Sequence, residues 1–284
     1  PVLGYAVFQE YLKMKIRPGI LRLYAVTDRS WLRPGETLAD AVEQAINGGA
    51  TIIQLREKNA DKKEKLELAL ELKQVCRRYG VPLIINDSVS LALASGADGV
   101  HLGQDDGDIG KAREILGEDK IIGATAHNVQ EAVLAAEAGA DYLGCGAVFG
   151  SATKDNTIPL SMQELKKICE TVDIPVAAIG GINAGNIEKL DGTGISGAAV
   201  VSAIFAQSNI IAAAAELRKL ADKITGEKSL NLCLGGEEVQ DSYYIIKEAC
   251  RVNKPKKIIY ELDPGYWVST ATLGPEYRTV YDEF

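Results

Sequence analysis

The chain has 284 residues, 46% hydrophobic and 25% charged, a composition typical of a soluble globular protein with one large domain and some additional chain. Its formal charge of -8 argues against nucleic acid or an anionic membrane as the main partner, while leaving room for a local basic site. The five cysteines are scattered, and the two histidines form no H-E-x-x-H motif. With no evident signal peptide, we expect a reducing compartment, the cytoplasm by default.

Short apolar segments recur at regular intervals through the middle of the chain. They are rich in Val, Ile, Leu and Ala without strict alternation, as is typical of strands buried on both faces. We predict eight strands, at 21–28, 50–56, 82–87, 98–103, 121–127, 141–148, 175–181 and 197–203.

Amphipathic segments lie between these strands. In "TLADAVEQAINGG" the apolar residues Leu38, Val42 and Ile46 share one helical face, and "DKKEKLELALELKQVCRRYG" keeps helical spacing until Gly80. "NVQEAVLAAEAGA", "SMQELKKICETV" and "NAGNIEKL" follow, several with Ser or Asn as an N-cap. Eight strands alternating with helices predict an α/β fold, a (β/α)8 TIM barrel over residues 21–225; an open doubly wound sheet is the alternative, but it needs no eightfold regularity.

In such a barrel the active site lies at the C-terminal ends of the strands. The residues at these ends share a theme, since they comprise cations, amides, hydroxyls, glycines and two carboxylates. They are Thr27, Gln54, Arg56, Lys58, Asn86, Asp87, Gln104, Asp106, Thr125, Ser151, Thr153, Lys154, Gly180, Gly181 and Ser202.

The cations and amides of this set indicate a site for phosphate oxygens. Gln54, Arg56 and Lys58 alternate onto one face of an extended segment. Asp87 and Asp106 fit beside them if Mg2+ bridges the carboxylates to phosphate. The alternative is that Asp87 caps the following helix and Asp106 belongs to an acidic turn.

A second anion site is predicted where "AIGGINAGN" leads from a strand through Gly180 and Gly181 towards a helix. The last strand ends next to it at Val201 and Ser202. Loops after strands seven and eight form the recurrent phosphate site of this fold. No nucleophilic machinery is evident: we interpret His101 as a core histidine, and His127, closer to the rim, has no identifiable partner.

The motifs "LYAVTD", "QLREK", "IIND", "GVHLGQDD", "GATAHN", "GAVFGSATK", "AIGGI" and "AAVVSAI" occur in the order and spacing of thiamine-phosphate synthases, which the chain resembles from about residue 21 to 225. The resemblance implies a transferase of thiamine biosynthesis that joins hydroxymethylpyrimidine diphosphate to thiazole phosphate and releases diphosphate. It also implies a dissociative mechanism, in which the leaving group is stabilised and water excluded without a strong base.

The resemblance also implies roles for the rim residues. Gln54, Arg56, Lys58 and Asn86 match diphosphate-binding positions, Asp87 and Asp106 match Mg2+ ligands, and Gly181, Val201 and Ser202 match the thiazole-phosphate site. Ser151, Thr153 and Lys154 match a loop that closes over the substrates, and Arg56, Thr125 and Lys154 are the expected catalytic residues. Thr125 replaces the usual serine and Ser151 a frequent threonine, but both keep a hydroxyl.

Two other functions compete with this interpretation. A thiazole tautomerase of the same fold would need a histidine acid or base, for which His127 is the candidate, and a regulatory descendant would have degraded metal ligands. The intact cation and carboxylate set favours the synthase, with small-molecule substrates as partners and homo-oligomer formation left open.

The two ends lie outside this pattern. We expect an N-terminal extension at residues 1–20, with Met14 as a candidate natural start, and an appended segment of unknown role at residues 226–284. The latter reads as strand, turn, helix and strand, faintly resembles a segment of SGNH-type hydrolases without their nucleophile motif, and receives no assigned activity.

Overall fold

Eight parallel strands close into a barrel in the computed structural model, which describes residues 15–17, 19–150 and 159–225. Each strand pairs with its neighbours in sequence, and β1 also pairs with β8, so that Tyr24 lies opposite both Ile52 and Ala199. The strands are β1 Leu23–Val26, β2 Ile52–Leu55, β3 Leu83–Asn86, β4 Gly99–Leu102, β5 Ile121–Ala126, β6 Tyr142–Cys145, β7 Val176–Ile179 and β8 Gly197–Val200. The predicted barrel and all eight predicted strands are confirmed.

Helices cover the outside of the barrel. They are α1 Leu38–Asn47, α2 Lys62–Arg78, α3 Val89–Ser95, α4 Ile109–Leu116, α5 Val129–Glu137, α6 Met162–Thr171, α7 Ser202–Phe205 and α8 Ile210–Ile224, with 3-10 turns at Arg29–Trp31 and Ile187–Leu190. The predicted caps of α5 and α6 are present, because Asn128 and Ser161 each accept a hydrogen bond from a backbone amide in the first turn, and Ser88 caps α3 in the same way.

Every strand is shorter than its predicted segment, and one predicted helix does not form. β8 ends at Val200 rather than residue 203, because Val201 (φ -119°, ψ -87°) turns the chain into α7. The segment "NAGNIEKL" forms only the 3-10 turn Ile187–Leu190, whose N-cap Asn186 makes no side-chain capping bond. Both segments lie at or beyond the C-terminal ends of β7 and β8.

Apolar side chains pack in two regions. The larger lies between the strands and the surrounding helices and contains, for example, Leu23, Ile53 and Leu72. The smaller fills the barrel interior around Tyr24 and Tyr142, both almost completely buried. The interior is therefore a packed core, and a ligand can reach it only from the ends of the barrel.

Within the described part of the chain, none of the helices is both long enough and apolar enough to cross a membrane. Residues 1–14 and 226–284 fall outside the described residues, so the division into extension, barrel and appended segment stays a prediction.

Candidate active site

The predicted rim residues that the structure describes all lie at or just beyond the C-terminal ends of the strands. Gln54 is on β2, Asn86 ends β3, and Thr125 is on β5. Arg56, Lys58, Asp87, Asp106, Gly181, Val201 and Ser202 are in the loops that follow strands or at the start of α7. Ser151, Thr153 and Lys154 lie outside the described residues.

The segment from Gln54 to Lys58 does not keep the extended, alternating form that the sequence predicts. β2 ends at Leu55, and Lys58 lies exposed in a bend, so the regular alternation does not extend to it. The backbone N–H of Arg56 donates to Thr27 Oγ1 at 3.0 Å, which fixes the chain as it leaves the strand. Gln54 is only 4% exposed, an unusual position for an amide that must find partners.

Asp87 follows β3 directly and has a left-handed backbone with φ of 63°, a conformation that is uncommon outside glycine. Its N–H donates to the carbonyl of His101 on β4 at 2.8 Å, which ties the β3 loop to the neighbouring strand. The cap of α3 is Ser88, which accepts from Leu91 N–H, so the alternative in which Asp87 caps that helix is wrong.

Asp106 lies in the exposed turn after β4, where its Oδ2 accepts from the N–H of Gly103 at 2.8 Å. This agrees with the acidic-turn interpretation. It does not contradict a metal-binding role for Asp106, because a carboxylate has several acceptor positions. Within the described residues there is no cluster of three or more His, Cys, Asp or Glu side chains suited to a metal ion. A pair of carboxylates suits Mg2+, which typically takes one or two of them together with water and substrate oxygens.

Five side chains from five strands form what we term the interior hydrogen-bond chain. Gln54 Nε2 donates to Tyr24 Oη at 2.7 Å, and Tyr24 Oη lies 2.7 Å from Tyr142 Oη. Tyr142 Oη is 3.0 Å from His101 Nδ1, and His101 Nε2 is 3.1 Å from Thr125 Oγ1. The chain therefore joins two predicted site residues, Gln54 and Thr125, through the barrel interior.

His101 is a satisfied core histidine, as predicted, because both ring nitrogens have partners. The sequence did not indicate that these partners connect it to the rim. Tyr24 and Tyr142 were not proposed at all. The available signal was the occurrence of hydrogen-bonding side chains in otherwise aliphatic strands of a barrel. His127 has a partner after all: its Nδ1 lies 2.9 Å from Glu131 Oε2.

Glycines shape the rim after β7. Gly180 and Gly181 have φ of 102° and 63°, and an added Cβ at Gly181 would lie 2.5 Å from the carbonyl oxygen of Phe149. Only glycine fits there without strain. Among the described residues, no backbone carbonyl is paired with the N–H group of Gly181 or of Ser202.

The fold and this rim define an enzyme-type (β/α)8 barrel, with carboxylates on one side of its mouth and glycine amides on another. A family model described as thiamine monophosphate synthase matches residues 23–204. The chain is 48% identical over 200 residues to the thiamine-phosphate synthase of Clostridium novyi, covering 70% of this chain and 98% of that protein. It is also 48% identical over 210 residues to the enzyme of Chloroflexus aurantiacus, covering 74% and 96%.

Solved structures agree with this match. Thiamine phosphate pyrophosphorylase from Pyrococcus furiosus is 40% identical, with a TM-score of 0.67 and coverage of 73% of this chain and 98% of that one. A 3-hexulose-6-phosphate synthase, 18% identical with a TM-score of 0.51, shares the fold alone. The chain belongs to the thiamine-phosphate synthase family, and its activity is that of a transferase acting on small molecules in thiamine biosynthesis.

Proposed function

We propose that the barrel joins hydroxymethylpyrimidine diphosphate to hydroxyethylthiazole phosphate at its rim, releasing diphosphate in a dissociative, Mg2+-assisted substitution. The observation that supports this best is the composition of the rim, where two carboxylates follow β3 and β4 and a pair of glycines with positive φ follows β7. Such a mouth offers two distinct anion sites, as two phosphorylated substrates require.

Asp87 and Asp106 would hold the metal. Both are exposed, both offer hard oxygen ligands, and they follow adjacent strands whose ends are joined by the bond from Asp87 N–H to the His101 carbonyl. Bound Mg2+ would supply positive charge that stabilises the departing diphosphate.

Residues of the chain itself would bind and orient the diphosphate. Arg56, Lys58 and Lys154 contribute charge, and Gln54 and Asn86 contribute amides. The Thr125 hydroxyl would donate a hydrogen bond to the pyrimidine substrate, and Arg56 and Lys154 would stabilise charge that develops on the leaving oxygen. No general base is required, because the thiazole nitrogen attacks a pyrimidine cation from which diphosphate has already left.

The thiazole phosphate would bind the Gly181 and Ser202 amides, with Val201 against the ring. Ser151, Thr153 and Lys154 would close over both substrates and exclude water; this part of the proposal rests on the family resemblance. A cytoplasmic location, suggested by the scattered cysteines, also remains a proposal.

The experiment measures the initial rate as a function of Mg2+ concentration for the variants Asp87→Asn and Asp106→Asn and for the control variant Asp119→Asn. Asp119 is an exposed aspartate in the loop between α4 and β5, at the opposite end of the barrel. We expect the Mg2+ concentration at half-maximal rate to rise at least tenfold in the first two variants and to stay within twofold in the control. Unchanged titrations for Asp87→Asn and Asp106→Asn would refute the metal assignment.

A further inference from the structure

The interior hydrogen-bond chain connects two residues that the proposed function places against substrate, Gln54 and Thr125. We infer that this chain sets which atoms those two side chains present to the rim, and that His101, with Nδ1 accepting from Tyr142 and Nε2 donating to Thr125, is the positioning residue that passes this direction on to Thr125. The kinetic consequences of this inference rest on the proposed function, whereas the proton positions do not depend on it.

The direction follows from counting protons along the chain. Burial raises the pKa of both Tyr24 and Tyr142, so each hydroxyl keeps its single proton. Tyr24 Oη accepts from Gln54 Nε2, and its own proton therefore has Tyr142 Oη as its acceptor. The Tyr142 proton is then directed to His101 Nδ1.

An Nδ1 that accepts leaves the proton of a neutral imidazole on Nε2, which donates to Thr125 Oγ1. The opposite direction would have Tyr142 donate to Tyr24. With Gln54 Nε2 at 2.7 Å from Tyr24 Oη, the Tyr24 proton would then face that amide N–H in a side chain that is 2% exposed, and only an exchange of Nε2 and Oε1 would relieve the conflict. Proteins avoid such unsatisfied buried donors, so the direction from Gln54 to Thr125 is favoured.

The two ends then have defined roles. Gln54 gives one of its two amide protons to Tyr24, which leaves the second amide proton as a donor and Oε1 as an acceptor. Thr125 has received the Nε2 proton at Oγ1, which leaves its own proton as a donor. The chain thus fixes the orientation of the Gln54 amide and makes the Thr125 hydroxyl a donor, and reversing it would turn the amide over and make that hydroxyl an acceptor.

The barrel is built to accommodate this chain. An added Cβ at Gly123 on β5 would overlap the Tyr142 ring, and one at Gly144 on β6 would lie 2.9 Å from His101 Cε1. Glycine inside a strand is otherwise unfavourable, and here it provides space for the two rings. The Tyr24 and Tyr142 rings pack edge to face, with centroids 5.9 Å apart at 65°, which holds their hydroxyls together.

The direct test is nitrogen-15 NMR of the ligand-free protein labelled at histidine. The chain has two histidines, and His127 serves as an internal reference, because its Nδ1 faces Glu131 Oε2 and is expected to carry a proton. We expect His101 to show a protonated Nε2 and a bare Nδ1. A protonated Nδ1 on His101, in either a neutral or a charged ring, would overturn the inferred direction.

The positioning role is tested with Tyr142→Phe, Tyr24→Phe and the double variant. Each single change should lower kcat/KM for the pyrimidine substrate by about tenfold, and the double change should cost little more, because both interrupt one chain. Tyr79→Phe is the matched control: its hydroxyl donates to Glu43 Oε1 at 2.8 Å on the outside of the barrel, and we expect kinetics within twofold.

The possible outcomes distinguish the positioning role of the interior hydrogen-bond chain from the proposed function. Wild-type kinetics in both single variants, or fully additive losses in the double variant, would overturn the positioning role. A wild-type protein that makes no thiamine phosphate but shows the expected His101 protonation would refute the proposed function and leave the proton direction standing. In Tyr142→Phe, His101 Nδ1 loses its donor, so its nitrogen-15 signal should move whether or not the protein is active.

Discussion

Gly123→Ala is the substitution that tests the packing of the barrel interior most severely. The new methyl group would overlap the ring and the hydroxyl of Tyr142, whose side chain is completely buried. The ring cannot retreat freely, because Tyr24 packs against it and both hydroxyl contacts of Tyr142, at 2.7 and 3.0 Å, depend on its position.

The expected loss of stability combines three effects. Overpacking a core costs about 1–3 kcal/mol, and two weakened hydrogen bonds cost about 1 kcal/mol each. The reduced freedom of the unfolded chain returns about 0.4–1 kcal/mol. A net loss of about 3 kcal/mol corresponds to a Tm lower by roughly 6–12 °C in a domain of this size.

Thermal unfolding followed by circular dichroism measures this loss, and steady-state kinetics measure its consequence at the rim. Gly110→Ala is the control, since Gly110 lies in α4, where its Cβ would meet only Asp108 Oδ1 at 3.2 Å and alanine favours the helix by up to about 1 kcal/mol. A Gly123→Ala protein with an unchanged Tm and wild-type kcat/KM would refute this account of the interior.

Three further predictions concern the rim and its supports. Gly181→Ala should raise the KM for thiazole phosphate at least tenfold and the KM for the pyrimidine substrate less, because a methyl group beside the Phe149 carbonyl displaces the backbone at φ 63°. Equal effects on both KM values would contradict a separate site for thiazole phosphate. Ser88→Ala should lower the stability by about 1 kcal/mol through loss of the α3 cap, measured by urea unfolding, and no change would contradict the capping role. Burial alone would raise the pKa of Glu131, but hydrogen bonds from His127 lower that pKa below 4.5 overall. The ionised carboxylate therefore contributes its full stabilisation of the fold above pH 4.5, and this stabilisation is lost as the pH falls through the folded-state pKa. Glu131→Gln should therefore flatten the acid side of the stability curve, and an unaltered curve would contradict the assignment.

The barrel could be predicted because its strands are marked by composition alone. Runs such as 197–203 are almost wholly apolar and recur with helical segments between them, so the topology follows once eight are counted. The ends of elements were less predictable: β8 stops at Val200 because of one backbone turn at Val201, which no propensity of the surrounding "AAVVSAI" segment indicates.

The rim could be predicted from its position after each strand, but the interior hydrogen-bond chain could not. Its members are far apart in sequence, and Tyr24, His101 and Tyr142 occupy inward positions in strands whose other residues are aliphatic. Strand register and ring orientation bring them together, and both depend on the closed barrel. Gly123 and Gly144 look like weak points of two strands until the rings that fill their space are known.

The most direct measurement is phosphorus-31 NMR of the purified protein with hydroxymethylpyrimidine diphosphate, thiazole phosphate and Mg2+, repeated with EDTA. The account predicts equal amounts of thiamine phosphate and free diphosphate in the presence of the metal, and neither product once EDTA removes it. Product formation that is equally fast in EDTA would contradict the metal-assisted mechanism, and no product with Mg2+ present would contradict the proposed reaction itself.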